Sequence, residues 1–245
     1  KQLINDARKA GLTLAIATLG LAAGAAHAQF RQGQEFTLLS PPQATEGGGK
    51  VEVIEFFSYG CGHCYKLEPF LETWAKKLPA DVTFKRIPGV GSGAWTQLAL
   101  MYYSFEAMGK LDTLHTKAFD AMHKENVNLA NSKLREGWLA KQGIDPVQYA
   151  AVEKSFSVQS KISRAGQMMG SYKVDGVPMV IVNGKYVTST GHAGGPERVI
   201  PVLEQLIAMA RKDMGTSTAE APKAPAPKPA AVAAVLAAQQ ERRGA

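Results

Sequence analysis

The chain is poor in cysteine, with two in 245 residues, Cys61 and Cys64. Proteins braced by disulfides close longer loops than this. A bond across two intervening residues constrains the unfolded chain little in the chain-entropy account, so the pair suits chemistry better than bracing. A second Cys/His pair that could complete a zinc site is missing. His63 and the distant His115, His123 and His192 form no obvious ligand set, so no metal is expected. The formal charge is +7 with a pI near 9.3, yet the basic residues are scattered, several of them in Lys1–Lys9 and Arg242–Arg243. No Lys/Arg stripe interleaved with aromatics exists, and nucleic-acid binding is not expected. Internal repeats are absent. Outside the first 28 residues there is no long apolar run of the kind a membrane span requires.

Those first residues, 1–28, read as an export signal. Lys1, Arg8 and Lys9 make a positive start, Leu12–Ala26 an apolar stretch, and Ala26-His27-Ala28 a cleavage site. A retained anchor helix is the alternative. The mature chain is expected to begin near Gln29 and to work in the periplasm.

Residues 29–49 read as an extended lead-in with Pro41-Pro42 and Gly47-Gly48-Gly49. Val51–Phe57 (VEVIEFF) reads as a central strand. A turn at Ser58-Tyr59-Gly60 leads into a helix from about Cys61, which Pro69 should kink. Val82–Ile87 is a second strand. Residues 93–172 carry apolar side chains at helical spacing, as in Trp95, Leu98, Tyr102, Phe105 and Met108, and are expected to be helical throughout. These stripes are read as core. Met179–Val182 and Lys185–Thr188 flank Asn183-Gly184, the two-residue loop of a type I′ hairpin. Pro196 opens a last amphipathic helix through Arg211. The Ala/Pro/Lys-rich stretch Thr216–Pro229 is expected to be disordered.

A C-x-x-C beside a β-α-β pattern is a thioredoxin-like redox signature. The first N–H groups of a helix lack intrahelical partners and, with the macrodipole, stabilise an anion. Cys61 is therefore expected to be a low-pKa nucleophile, and Cys64, one turn further in, a buried resolving thiol. His63 between them can add a donor or a positive charge; read alone it is an exposed helix-start histidine. Half of a zinc site and a structural disulfide are the other readings of the pair. Glu55 places a carboxylate in a strand that should be buried, so it needs a partner or a proton, and Lys85 in the neighbouring strand is the candidate partner. A solvent-reached edge position is the alternative.

Glu55-Phe56-Phe57-Ser58, then Cys61-Gly62-His63-Cys64-Tyr65, then Val177-Pro178 before a strand resemble the DsbA family of bacterial periplasmic thiol–disulfide oxidases, over about residues 45–212. The resemblance implies an α/β architecture: a thioredoxin fold with an all-helical domain inserted between the CxxC helix and the cis-proline strand. The segments would be 29–92 and 173–214 for the thioredoxin part, 93–172 for the insertion and 215–245 for a tail. It implies that Pro178 is a cis-proline opposite the cysteines, an ordinary trans proline being the alternative. Val177 would then pair with an extended substrate chain, and an acid such as Glu55 would lie beneath the site, with a proton-transfer role near Cys64. The expected partners are reduced exported proteins and a quinone-linked inner-membrane reoxidant of the DsbB type. The chain is expected to act as a monomer, with no cofactor beyond a redox-active Cys61–Cys64 disulfide. More than a hundred residues between Cys64 and Pro178 argue against a plain thioredoxin. Absence of a substantial N-terminal dimerisation domain argues against the DsbC isomerases. Gly62 departs from the proline of the best-known DsbA motif and gives the CGHC of protein disulfide isomerases, while Gly60 removes bulk beside Cys61. An oxidase is the leading reading. A reductase or isomerase, or a peptide-binding chaperone with incidental cysteines, is the alternative.

Overall fold

The computed structural model describes residues 29–220, with side chains through residue 215. The export-signal expectation for residues 1–28, and that for the tail beyond Glu220, lie outside the described residues. In chain order the elements are β1 (Thr37–Leu38), β2 (Val51–Phe57), α1 (Gly62–Ala75), β3 (Val82–Pro88), α2 (Ala94–Ala107), α3 (Leu111–His123), α4 (Ser132–Lys141), α5 (Pro146–Glu153), α6 (Phe156–Ser171), β4 (Met179–Val182), β5 (Tyr186–Thr188), α7 (Thr190–Ala193) and α8 (Pro196–Glu220).

The five strands form one sheet in the order β1-β5-β4-β2-β3. β2 runs parallel to β3 and antiparallel to β4. All seven of its residues are buried, which explains why it reads as a nearly continuous apolar run rather than an alternating one. The register sets Ile54 beside Lys85 and Glu55 beside Arg86. Helices α2–α6 lie between β3 and β4 in sequence, the place expected for the helical insertion. They do not build a core of their own. Ile54, Phe56 and Phe57 of β2 belong to the same buried cluster as Phe105, Phe119, Trp138, Leu139 and Tyr149.

Local sequence accounts for most boundaries. Asn131, Asp145 and Ser155 each accept a backbone N–H in the first turn of α4, α5 and α6, the N-cap role these side chains favour. Asn183 and Gly184 have φ of 52° and 65°, as a type I′ turn requires. A Cβ on Gly184 would also fall on the Gln43 carbonyl. α1 continues through Pro69.

Two expectations need correction. The lead-in is not merely extended: β1 pairs antiparallel with β5, a two-residue strand too short to leave a periodic signal. The last helix does not stop at Arg211, and its backbone runs on through Thr216–Glu220, the first part of the stretch expected to be disordered. No proline interrupts that stretch before Pro222, so the backbone hydrogen-bond ladder can extend that far.

Candidate active site

β2 ends in the turn Ser58-Tyr59-Gly60, and the Cys61 N–H donates to the Ser58 carbonyl at 3.0 Å. This leaves Cys61 as the N-cap of α1, in extended conformation, with its sulfur in place of the usual Ser, Thr or Asp oxygen. The Cys64 N–H donates to Cys61 Sγ at 3.3 Å. The Cys61 thiol in turn donates to the Val177 carbonyl at 3.3 Å. Val177–Pro178 is a cis peptide, with Val177 half-buried and Pro178 buried. Both cysteines are free thiols, Cys61 partly exposed and Cys64 fully buried.

These surroundings split the two thiols. Cys61 falls from an ordinary 9.0 to about 6, chiefly because the Cys64 thiol hydrogen-bonds to its sulfur. The N–H groups of Cys64 and His63 and the His63 charge act in the same direction, against partial burial. His63 itself is exposed and is a lesser contributor than the helix start. Burial is the first reason that Cys64 is pushed far up, and the charge of Glu55 adds to it. Titration of the reduced protein by thiolate ultraviolet absorbance should therefore give one midpoint near 6. A first midpoint near the free-thiol value of about 8.5 would contradict this geometry.

Behind the cysteines lies a buried ionic cluster. Glu55 is 0% exposed, and its Oε2 sits 3.2 Å from Arg86 Nε. The other arm of Arg86 holds Glu68 Oε1 at 2.6 Å. Glu68 Oε2 is 3.3 Å from His115 Nε2, and His115 Nδ1 is 2.8 Å from the Tyr59 hydroxyl. Burial, reinforced by the charge of Glu68, raises the Glu55 carboxyl from 4.5 to about 8, an effect that Arg86 opposes but does not cancel. Burial therefore favours the protonated form of the Glu55 carboxyl.

Lys85 does not fill the place expected of it. It pairs with Glu52 at 2.8 Å and Glu46 at 3.1 Å. Side chains alternate across a strand, so Lys85 shares its face with Ile54 and Glu52, and the residue on Glu55's face is Arg86. Sequence reasoning missed Arg86, Glu68 and His115. The signal for Glu68 was present: it falls on the buried stripe Cys64, Leu67, Glu68, Leu71 of α1, where a carboxylate needs a partner.

A CxxC pair capping the helix that follows β2, with a cis-proline segment against its first sulfur, defines a thiol–disulfide oxidoreductase of the thioredoxin fold. The family described as DSBA-like thioredoxin domain matches residues 70–195. The chain is 38% identical over 197 residues to the thiol:disulfide interchange protein DsbA of Pseudomonas aeruginosa, covering 80% of this chain and 93% of that one. It is 39% identical over 184 residues to the protein of the same name from Azotobacter vinelandii, covering 75% and 86%. The crystal structure of Pseudomonas aeruginosa DsbA aligns with a TM-score of 0.71 at 38% identity, covering 75% of this chain and 96% of that one. DsbA from Xylella fastidiosa aligns at 0.67 and 26% identity, over 74% and 97%. The chain belongs to the DsbA-like family and is a protein disulfide oxidoreductase.

Proposed function

We propose that Cys61 and Cys64 form the redox-active disulfide, and that the protein donates it to reduced proteins exported to the periplasm. The observation that carries this reading is the asymmetry of the thiols, with Cys61 capping α1 and Cys64 sealed behind it. A substrate thiolate attacks Cys61 Sγ, the Cys61–Cys64 bond breaks, and its electron pair leaves on Cys64. Glu55 supplies the proton that Cys64 takes up. A second substrate thiolate then attacks the substrate sulfur of the mixed disulfide, and Cys61 leaves as a thiolate. The substrate is oxidised and the pair reduced. A leaving group this stable favours the reduced pair, which makes the disulfide oxidising.

The Val177 carbonyl, 3.3 Å from Cys61 Sγ, is placed to pair with an extended substrate backbone beside the mixed disulfide. His63 adds to the stabilisation of the leaving thiolate. Return to the disulfide requires an acceptor of two electrons, for which a quinone-linked inner-membrane protein of the DsbB type is the partner. Residues 1–28 act as the export signal. Among the described residues no helix is long and apolar enough to cross a membrane.

Equilibration with glutathione buffers tests this reading. The pair should remain largely dithiol until the buffer is strongly oxidised, whereas a pair that stays disulfide in reducing glutathione would overturn the donor role. Stability should follow. The Cys61 value is depressed in the folded state, so its contribution is fully present above the unfolded value and is lost as pH falls through the folded one. Thermal melts should show the reduced protein gaining on the oxidised one as pH rises from about 6 to 9.0. A gap that does not change over that range would contradict a thiolate supported by the fold.

A further inference from the structure

One face of α3 meets both ends of the Cys61–Cys64 segment. Met122 and His123 lie three and four positions after Phe119, which places them on its side of the helix. The Phe119 ring centroid is 5.0 Å from that of Tyr59, before the cysteines, and 6.0 Å from that of Tyr65, after them. The His123 ring stacks on Tyr65, with centroids 4.8 Å and planes 15° apart. The Tyr65 hydroxyl donates to Asp120 Oδ1 at 3.0 Å.

His123 also reaches the backbone. Its Nε2 is 2.8 Å from the Tyr59 carbonyl oxygen, and a carbonyl can only accept, so Nε2 carries the hydrogen. Residues Ser58 to Cys61 form a β-turn, closed by the Cys61 N–H on the Ser58 carbonyl, and the Tyr59–Gly60 peptide is its centre. The central peptide of such a turn has two orientations, about 180° apart. The type II orientation puts the third residue at positive φ, where glycine is favoured. A Tyr-Gly centre permits both, yet Gly60 does not take up a positive φ. Two bonds hold the observed orientation: the Gly60 N–H on Ser58 Oγ at 3.3 Å, and the shorter one from His123.

We propose that His123 is a positioning residue for disulfide exchange, its Nε2–H locking the Tyr59–Gly60 peptide and so keeping Cys61 Sγ at the start of α1. This rests on the proposed disulfide-donor function and names a residue that tunes it. Cys61 follows Gly60 directly, and its extended N-cap conformation continues from the turn. A flipped peptide carries Gly60 to positive φ and reverses the peptide dipole beside the sulfur. Sγ then keeps its place against the Cys64 N–H for only part of the time. The Cys61 thiolate becomes a poorer leaving group, and the disulfide less oxidising. A helix of the insertion thereby sets the reactivity of a sulfur on the thioredoxin part.

The test uses the full chain. Glutamine brings an amide N–H to the reach of Nε2, asparagine ends one bond short of it, and phenylalanine keeps the stack without a donor. His123→Gln should keep the parent's Cys61 thiolate midpoint, read by ultraviolet absorbance. His123→Phe and His123→Asn should raise it from about 6 by about 0.5–1 pH unit, which at neutral pH moves the glutathione equilibrium about three- to five-fold toward the disulfide. Tyr65→Phe, which removes the hydroxyl bond and keeps the ring, should change neither. If His123→Phe does not fold, the Gln and Asn variants decide, since they differ by one methylene. Equal midpoints in the parent, His123→Phe and His123→Asn proteins would overturn the lock alone. A Tyr65→Phe protein shifted as far as His123→Phe would assign the effect to the packing of α3 and overturn the lock as well. A parent protein that stays disulfide in reducing glutathione would overturn the donor function, and with it the role of His123.

Discussion

Replacing Arg86 by Met should destabilise the protein by about 3–5 kcal/mol, because it leaves buried carboxyls without their counter-charge. For a chain of this size that corresponds to a fall of roughly 6–20 °C in melting temperature. Arg86 joins Glu55 and Glu68, its planar fork meeting the two carboxyls at different nitrogens. Its guanidinium also lies 4.8 Å from the Phe84 ring centroid, a packing contact that Met retains only in part. The loss should depend on pH in a defined direction. Without Arg86, which opposes the rise caused by burial, the folded Glu55 carboxyl holds its proton more tightly still than in the unfolded chain, which favours the fold at low pH. That contribution is lost as pH rises, so the penalty should be larger at pH 8 than at pH 5. Arg86→Lys keeps the charge but not the fork and should cost less. Adding Glu55→Gln to Arg86→Met should recover part of the loss, since the two sites share one interaction. Denaturant melts at the two pH values decide it. A loss below about 1 kcal/mol that is flat with pH would mean the cluster is solvated after all.

Much of this arrangement was legible in the sequence, for reasons that can be stated residue by residue. The Cys61–Cys64 spacing, the apolar run before it and the helix after it are local, and local signals suffice to place an N-terminal sulfur. Asn183-Gly184 is legible in the same way, because few dipeptides tolerate two positive φ values in a row. The partner of Glu55 was not legible, since choosing between Lys85 and Arg86 requires the register of β2 against β3. A one-residue shift moves a side chain to the opposite face. His115 shows the limit from another side. It is one of five histidines, and nothing near it in sequence tells that it lies between Tyr59 and Glu68, 56 positions from the first. β1 escaped because two residues carry no periodicity, and its pairing with β5 depends on contacts far along the chain.

Replacing Cys64 by Ser should convert the protein into a trap, with substrate proteins accumulating on Cys61. In this variant the Cys61 thiolate attacks a disulfide already present in a substrate; that S–S bond breaks, one substrate sulfur leaves as a thiolate, and the other stays bonded to Cys61. Escape from within needs a second sulfur behind it, and Cys64, fully buried, is the one available. The two replacements of Cys64 should differ. The largest influence holding Cys61 low is the hydrogen bond from the Cys64 side chain. A Ser hydroxyl can donate in its place, whereas Ala cannot. Cys64→Ser should therefore keep a Cys61 midpoint near the parent's, and Cys64→Ala should move it up toward 9.0. The Ala protein should also form its adducts more slowly in disulfide-containing buffers, because less of its Cys61 is thiolate near neutral pH. Cys61→Ser should reduce exchange to background: the remaining thiol is buried and burial holds its proton in place. Non-reducing electrophoresis of cells expressing each variant, followed by mapping of the trapped linkage, reads all three outcomes. Adducts on Cys64 in the Cys61→Ser protein, at a yield comparable to those on Cys61 in the Cys64→Ser protein, would reverse the two roles. The helix-capping geometry would then be a feature of the fold without being the basis of its chemistry.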